Sequence, residues 1–308
     1  MGEDRDPRGH FIRDTFKTTN GCDLATYTWL PDCGVDLAKG CVFLFHGYAY
    51  HLRFEYLDTN DKNERTEYAG SIPARFNELG LIVFGHDHPG HGLSSGRRLY
   101  WDKLDELRDA AIEFCEAMLS DERFKLAGKP RFVVAMSMGG TISVQVARKV
   151  PNMFTGFVLI SPAVRTPDDM FGLYGRVLAA CSSVLDALVP QAKVISLPPS
   201  VDPVIREAVE KDELVVQQPV CVRVAKQMLI NYQDIEKNAA NISFPALLVM
   251  IGSKDNIVSP SGIQQFVEQV QSLDKEVKVF ENLGHEVIRE QGCEDARETA
   301  YSWVMKRT

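Results

Sequence analysis

The 308-residue sequence has no stretch approaching ~18 consecutive apolar residues, which excludes a membrane-spanning helix. The segment Met1–Asp14 is polar and charged, without the apolar core of a secretory signal. Gly2 follows Met1, but Asp6 stands where a myristoylation pattern requires Ser or Thr. There is no basic run with interleaved aromatics, and the formal net charge of −8 repels phosphate backbones, so nucleic acid is not an expected partner. There is no CxxC. The 7 cysteines are odd in number and irregularly spaced, so they are read as reduced thiols of a cytoplasmic protein, not a disulfide or zinc framework. In that setting the sequon Asn241-Ile242-Ser243 is read as accidental. No internal repeat or low-complexity segment occurs.

Hydrophobic content of 45% and charged content of 25% are ordinary for a globular chain with a sizeable core. The length fits one α/β core with an inserted subdomain. Phe11 to Trp29 reads as two extended segments around Asn20-Gly21, a hairpin signal because both residues tolerate positive φ. Apolar runs without alternation follow at Cys41–Phe45, Leu81–Phe84, Arg131–Ala135, Phe157–Ile160, Ala246–Ile251 and Val277–Phe280. Such runs suit strands of a mostly parallel sheet buried on both faces. Helical patterns lie between them, most clearly at Tyr68–Leu79, Lys103–Leu119 and Met138–Val150. The second places Leu104, Leu107, Ala111, Phe114, Cys115 and Met118 on one face. This alternation predicts a doubly wound α/β sheet. Two stretches interrupt it. Glu55–Glu67 is unusually polar and is expected to form a surface loop. Thr166–Asn241 shows no strand of its own and is expected to be a helical cap. The predicted organisation is a core of residues 1–165 and 242–308 with a cap insertion at 166–241.

The central chemical signal is Ala135-Met136-Ser137-Met138-Gly139-Gly140, at the end of a strand and the start of a helix. A nucleophile elbow requires that context. The turn brings together the side chains two residues before and after the serine, so both must be small. Ala135 replaces the usual glycine by one methyl group, which the steric demand tolerates. The bland alternative is a helix-capping serine before a glycine-rich turn.

Serine needs a base, itself held by an acid. In this context the chain order is Ser, then Asp or Glu, then His. Of the 7 histidines only His285, in Asn282-Leu-Gly-His285, follows Ser137. Asp255 is the preferred acid because Met250-Ile-Gly-Ser-Lys-Asp255 places it just past the penultimate strand, at the carboxyl edge where open α/β sheets bind ligands. The backbone N–H of Met138 and that of Tyr48, in the loop Phe45-His46-Gly47-Tyr48, are the candidate oxyanion donors. His46 is read as structural. The cluster Gly85–Ser94 holds three histidines and an aspartate, but its glycines and proline mark a shaped turn rather than a metal site.

Taken in order, His46-Gly47, the D-H-x-G-H-G-x-S run from Asp87 to Ser94, S-M-G-G from Ser137, G-S-x-D ending at Asp255 and Gly284-His285 resemble the monoglyceride lipase and lysophospholipase group of α/β-hydrolases. The resemblance spans nearly the whole chain. It implies hydrolysis of monoacylglycerol, lysophospholipid or related small esters, with no metal and no organic cofactor. It also implies Ser137, Asp255 and His285 as the triad and Tyr48 and Met138 as oxyanion donors. In the cap, Met170, Tyr174, Val177, Cys181, Val184 and Leu188 recur at steps of four and three, with Leu178 beside them. This stripe is expected to pack on the core. Alternatively part of it, including Met170, Tyr174 and Leu178 with Tyr48 opposite, lines an acyl pocket or dips into a membrane surface. Three competing functions stand beside the esterase: an aminopeptidase holding an α-amine through Glu207, Glu210, Asp212 and Glu213, an acyltransferase, and a non-catalytic ligand-binding protein. Oligomeric state is not readable from the sequence.

Overall fold

The computed structural model describes residues 11–60, 62, 64–165 and 184–308. Its main sheet has eight strands in the order β1-β2-β4-β3-β5-β6-β9-β10. These are β1 (Phe11–Lys17), β2 (Asp23–Trp29), β3 (Gly40–Phe45), β4 (Leu81–His86), β5 (Arg131–Met136), β6 (Gly156–Ile160), β9 (Leu247–Gly252) and β10 (Lys275–Phe280). β1 and β2 form the antiparallel hairpin, and β2 runs antiparallel to β4. All other pairings are parallel. The hairpin loop is five residues long, and only Gly21 in it takes positive φ (87°).

The apolar runs other than Val277–Phe280 become strands that have a hydrophobic layer on both sides. Along β3, Cys41, Phe43 and Phe45 enter one cluster, while Val42 and Leu44 enter the other. The first cluster is closed by α4 (Asp105–Ser120), α5 (Met138–Lys149), α7 (Val222–Asn238) and α8 (Pro260–Gln269). The second is closed by α2 (Leu52–Tyr56), α3 (Ile72–Glu78) and α9 (Glu294–Met305). A four-residue α1 (Gly34–Leu37) precedes β3. The predicted face of α4 is buried from Leu104 to Cys115, with Met118 at its margin. β10 departs from expectation. It is an edge strand, and its side chains are half-buried or exposed instead of being covered on both faces.

Two further expectations fail. The 55–67 stretch is not a surface loop throughout. Leu52–Tyr56 is helical, Glu55 is fully buried and Arg65 is 4% exposed. Arg65 is drawn inward because its guanidinium satisfies the Phe54 carbonyl (2.6 Å) and the Leu57 carbonyl. Lys62 and Glu64 in the middle are exposed. The insert between β6 and β9 is not wholly helical either. β7 (Lys193–Ile195) pairs antiparallel with β8 (Val220–Cys221), around α6 (Pro203–Lys211). Strands of three and two residues carry no readable periodicity. Met170, Tyr174 and Leu178 lie outside the described residues. At the described end of that stripe, Val184 and Leu188 are exposed and do not pack on the core. Asp186 turns inward instead, to Arg223 and Lys226.

Candidate active site

Ser137 joins β5 to α5 with φ 52° and ψ −115°. Positive φ on a non-glycine residue is strained and persists where its surroundings enforce it. Here the Ser137 N–H donates to the Ile160 carbonyl (3.0 Å), and its carbonyl accepts from Gly140 and Ala163. Gly139 shows why the position must be small. A Cβ there would lie 2.3 Å from the Phe45 carbonyl oxygen. Ala135 is buried in the sheet between Phe45 and Leu159, where its methyl is accommodated. Met138 opens α5, so its N–H has no acceptor within the helix.

Asp255 and His285 meet because β9 and the loop after β10 approach closely. A Cβ on Gly252 would lie 2.1 Å from the Gly284 carbonyl oxygen. Asp255 Oδ1 accepts from the N–H groups of Ile257 (2.8 Å) and Val258 (3.0 Å). Its Oδ2 lies 2.9 Å from His285 Nδ1. Burial alone would raise the Asp255 pKa, but the imidazole and these donors hold it below the ordinary value. Burial alone would lower the His285 pKa, but the Asp255 carboxylate, aided by Glu286 and Glu55, raises it. With Nδ1 held by Asp255, Nε2 is the ring nitrogen left to exchange a proton with substrate or serine.

The loop after β3 is set by neutral histidines. His46 Nε2 accepts the His88 N–H at 2.8 Å, so Nδ1 carries the proton and donates to the Gly47 carbonyl at 2.8 Å. This fixes the Gly47–Tyr48 peptide plane and so the direction of the Tyr48 N–H. The reading of His46 as a structural group in that loop agrees with these bonds. His86, His88 and His91 are buried beside it. Asp87 serves the turn. It accepts from Tyr27 OH (2.9 Å), Leu52 N–H (2.9 Å) and Leu93 N–H (2.8 Å). Among the described residues no group of three or more His, Cys, Asp or Glu is arranged to hold a metal ion.

Tyr48, Ser137 and His285 line one cavity of about 360 Å³, and Asp255 stands behind His285. Leu197, Val201, Val215, Val216 and Ile257 form apolar walls. Tyr50, Glu55, Glu286 and Arg289 form a polar end that sequence reasoning missed. No local pattern marked them, since Glu55 lies in the short helix Leu52–Tyr56 beside Arg53 and its partner Arg289 is distant in the chain. Of the acidic residues considered for an α-amine, Asp212 pairs with His51 at 3.0 Å and Glu207 with Lys211 at 2.7 Å, while Glu210 lines the cavity.

A family model described as serine aminopeptidase, S33 (Hydrolase_4), matches residues 36–292. The chain belongs to that family. A monoacylglycerol lipase of Mycolicibacterium smegmatis is 29% identical over 295 residues, covering 94% of this chain and 96% of that protein. The human monoglyceride lipase is 29% identical over 252 residues, covering 78% of this chain and 80% of that protein. Among solved structures, a soluble variant of the Saccharomyces cerevisiae monoglyceride lipase in complex with a substrate analogue superposes with a TM-score of 0.78 at 19% identity, covering 96% of this chain and 95% of that one. The sheet order and these neighbours show the α/β-hydrolase fold. The family description names a peptidase whereas these relatives are named as lipases, so the site has to discriminate between the two chemistries.

Proposed function

We propose that the protein is a carboxylic ester hydrolase acting on monoacylglycerols and related small acyl esters through an acyl-enzyme at Ser137. The observation that carries this reading is the strained Ser137 turn, opening on the cavity shared with a histidine whose Nδ1 is held by a buried aspartate. His285 Nε2 takes the Ser137 proton as Oγ attacks the ester carbonyl. The Tyr48 and Met138 N–H groups receive the oxyanion, an effect worth about 3–4 kcal/mol per donor in acyl transfer. The imidazolium then protonates the leaving alcohol. Water enters, gives its proton to His285 and releases the acid, restoring Ser137. Asp255 holds the ring and stabilises its charged form.

The insert acts as a cap in this reading. Its apolar wall, Leu197 with Val201, Val215 and Val216, faces the acyl chain, and the polar end faces the alcohol. Among the described residues no helix is long and apolar enough to cross a membrane. Access to a lipid ester is then through transient contact of the exposed insert side chains with a surface. Nucleic acid has no place in this scheme. One observation favours the aminopeptidase reading: Glu210 lines the cavity and could face an α-amine. Turnover of 1-monoacylglycerols and p-nitrophenyl esters across acyl lengths, beside aminoacyl p-nitroanilides, separates the two. Ester turnover at least about a hundredfold faster in kcat/KM supports the proposal. Anilide turnover without ester preference overturns it.

A further inference from the structure

The polar end of the cavity is built on charges that the reaction steps above do not use. Glu55 and Arg289 are both fully buried, and Arg289 Nη2 lies 3.0 Å from Glu55 Oε1. The other oxygen, Oε2, accepts the Gly47 N–H at 3.1 Å. Arg289 Nη2 also donates to Glu286 Oε1 at 2.7 Å. Glu286 follows His285 directly and accepts from Tyr50 OH (2.9 Å) and from the Ser200 hydroxyl. Two carboxylates and one guanidinium thus tie the loop after β3 to the loop after β10.

The consequence falls on one peptide plane. The Gly47–Tyr48 peptide is held at its carbonyl by His46, and the peptide before it is held at its N–H by Glu55. A Cβ on Gly47 would stand 3.3 Å from both Glu55 Oε2 and Ser137 Cβ, so this loop lies against the serine. We infer that Glu55 is a positioning residue: through Gly47 it aims the Tyr48 N–H at the oxyanion, and through Arg289 it fixes that loop against the His285 loop. This rests on the ester-hydrolase reading of the site.

The test compares the wild type with Glu55→Leu and Glu55→Gln on a p-nitrophenyl ester, with kcat expressed per native molecule. A purely structural role lowers the native fraction and leaves kcat per native molecule unchanged. A positioning role lowers kcat and spares KM. Losing one oxyanion donor costs about 10²–10³-fold, so misaiming one in Glu55→Leu is expected to cost kcat about ten- to a hundredfold, with KM within about threefold. Glu55→Gln keeps an oxygen for the Gly47 N–H and is expected to return kcat to within about fivefold of wild type. A Glu55→Leu kcat within about twofold of wild type overturns the inference, as does a Glu55→Gln variant as slow as Glu55→Leu. If Glu55→Leu does not fold, Glu55→Asp replaces it. Its reach is one methylene shorter, and kcat within about twofold of wild type again overturns the inference. A wild type without ester turnover would overturn the proposed function instead, which is a separate result.

Discussion

The turn holding His46, His86, His88 and His91 and the loop holding His285 bury their imidazoles alike, yet drive them in opposite directions. Burial pushes His86 down to about 3 and His91 to about 4, and His46 and His88 well below the ordinary histidine value. His285 is pushed up. The difference is a carboxylate. In the first group the rings face one another, with His88 Nδ1 3.1 Å from His86 Nε2. Asp87 sits among them, but its oxygens are taken by Tyr27, Leu52 and Leu93. His285 has Asp255 on its ring. Histidine density therefore accompanies scaffold in this molecule, and an acid behind the ring does not by itself mark chemistry, since His51 also faces one in Asp212; what sets His285 apart is that it shares its cavity with Ser137.

The comparison breaks most visibly by exchanging losses. His285→Ala is expected to lower kcat by about 10⁴–10⁶-fold, while His86→Phe stays within about threefold of wild type. Steady-state kinetics on one ester checks both, and equal losses would erase the distinction. Asp255→Asn is expected to lower kcat by about 10⁴-fold while the protein stays folded. The acid limb of kcat/KM reports the same carboxylate. In the wild type its midpoint is expected above 6.5, because His285 must be neutral to accept a proton and its pKa is raised. In Asp255→Asn the residual activity is expected to show a limb at lower pH. A limb that does not move would separate Asp255 from His285.

The first group makes a prediction of opposite sign, on stability. Its histidines have pKa values depressed by folding, so the unfolded chain binds protons first as pH falls below 6.5. The stability they contribute is complete above 6.5 and is lost toward pH 4, on the order of 3 kcal/mol for His91 alone. His285, raised on folding, contributes stability that is present at low pH and lost as pH rises through its folded value. Urea unfolding at pH 7 and pH 4.5 reads the balance, with a lower midpoint expected at pH 4.5. The smallest effect is expected at the elbow. Ala135→Gly should keep kcat within about threefold and lower stability by about 1 kcal/mol, because it adds backbone freedom at a buried strand end without relieving a clash.

The same comparison explains what was legible in the sequence. The core strands could be read because each is short, apolar and buried on both faces. β10 looked alike but is an edge, which composition does not reveal. Small neighbours mark Ser137 as the proposed nucleophile, chain order marks His285 as the proposed base, and strand-end position marks Asp255 as the proposed acid, whose Oδ2 lies 2.9 Å from His285 Nδ1. Glu55, Glu286 and Arg289 were not legible, because their meaning lies in contacts across more than 200 residues of chain, as between Tyr50 and Glu286. The polar composition of 55–67 suggested solvent, whereas partners made burial of Glu55 and Arg65 tolerable. The β7–β8 pair was too short for any periodic signal.

The proposed chemistry rests on Ser137 as the acylated residue. The most direct measurement is the mass of the intact protein after reaction with a fluorophosphonate, with the adduct located by peptide mapping, beside monoacylglycerol hydrolysis by wild type and Ser137→Ala. One adduct on Ser137, and loss of both adduct and hydrolysis in a folded Ser137→Ala protein, is the predicted result. An adduct on another residue, or hydrolysis unchanged in folded Ser137→Ala, would contradict it.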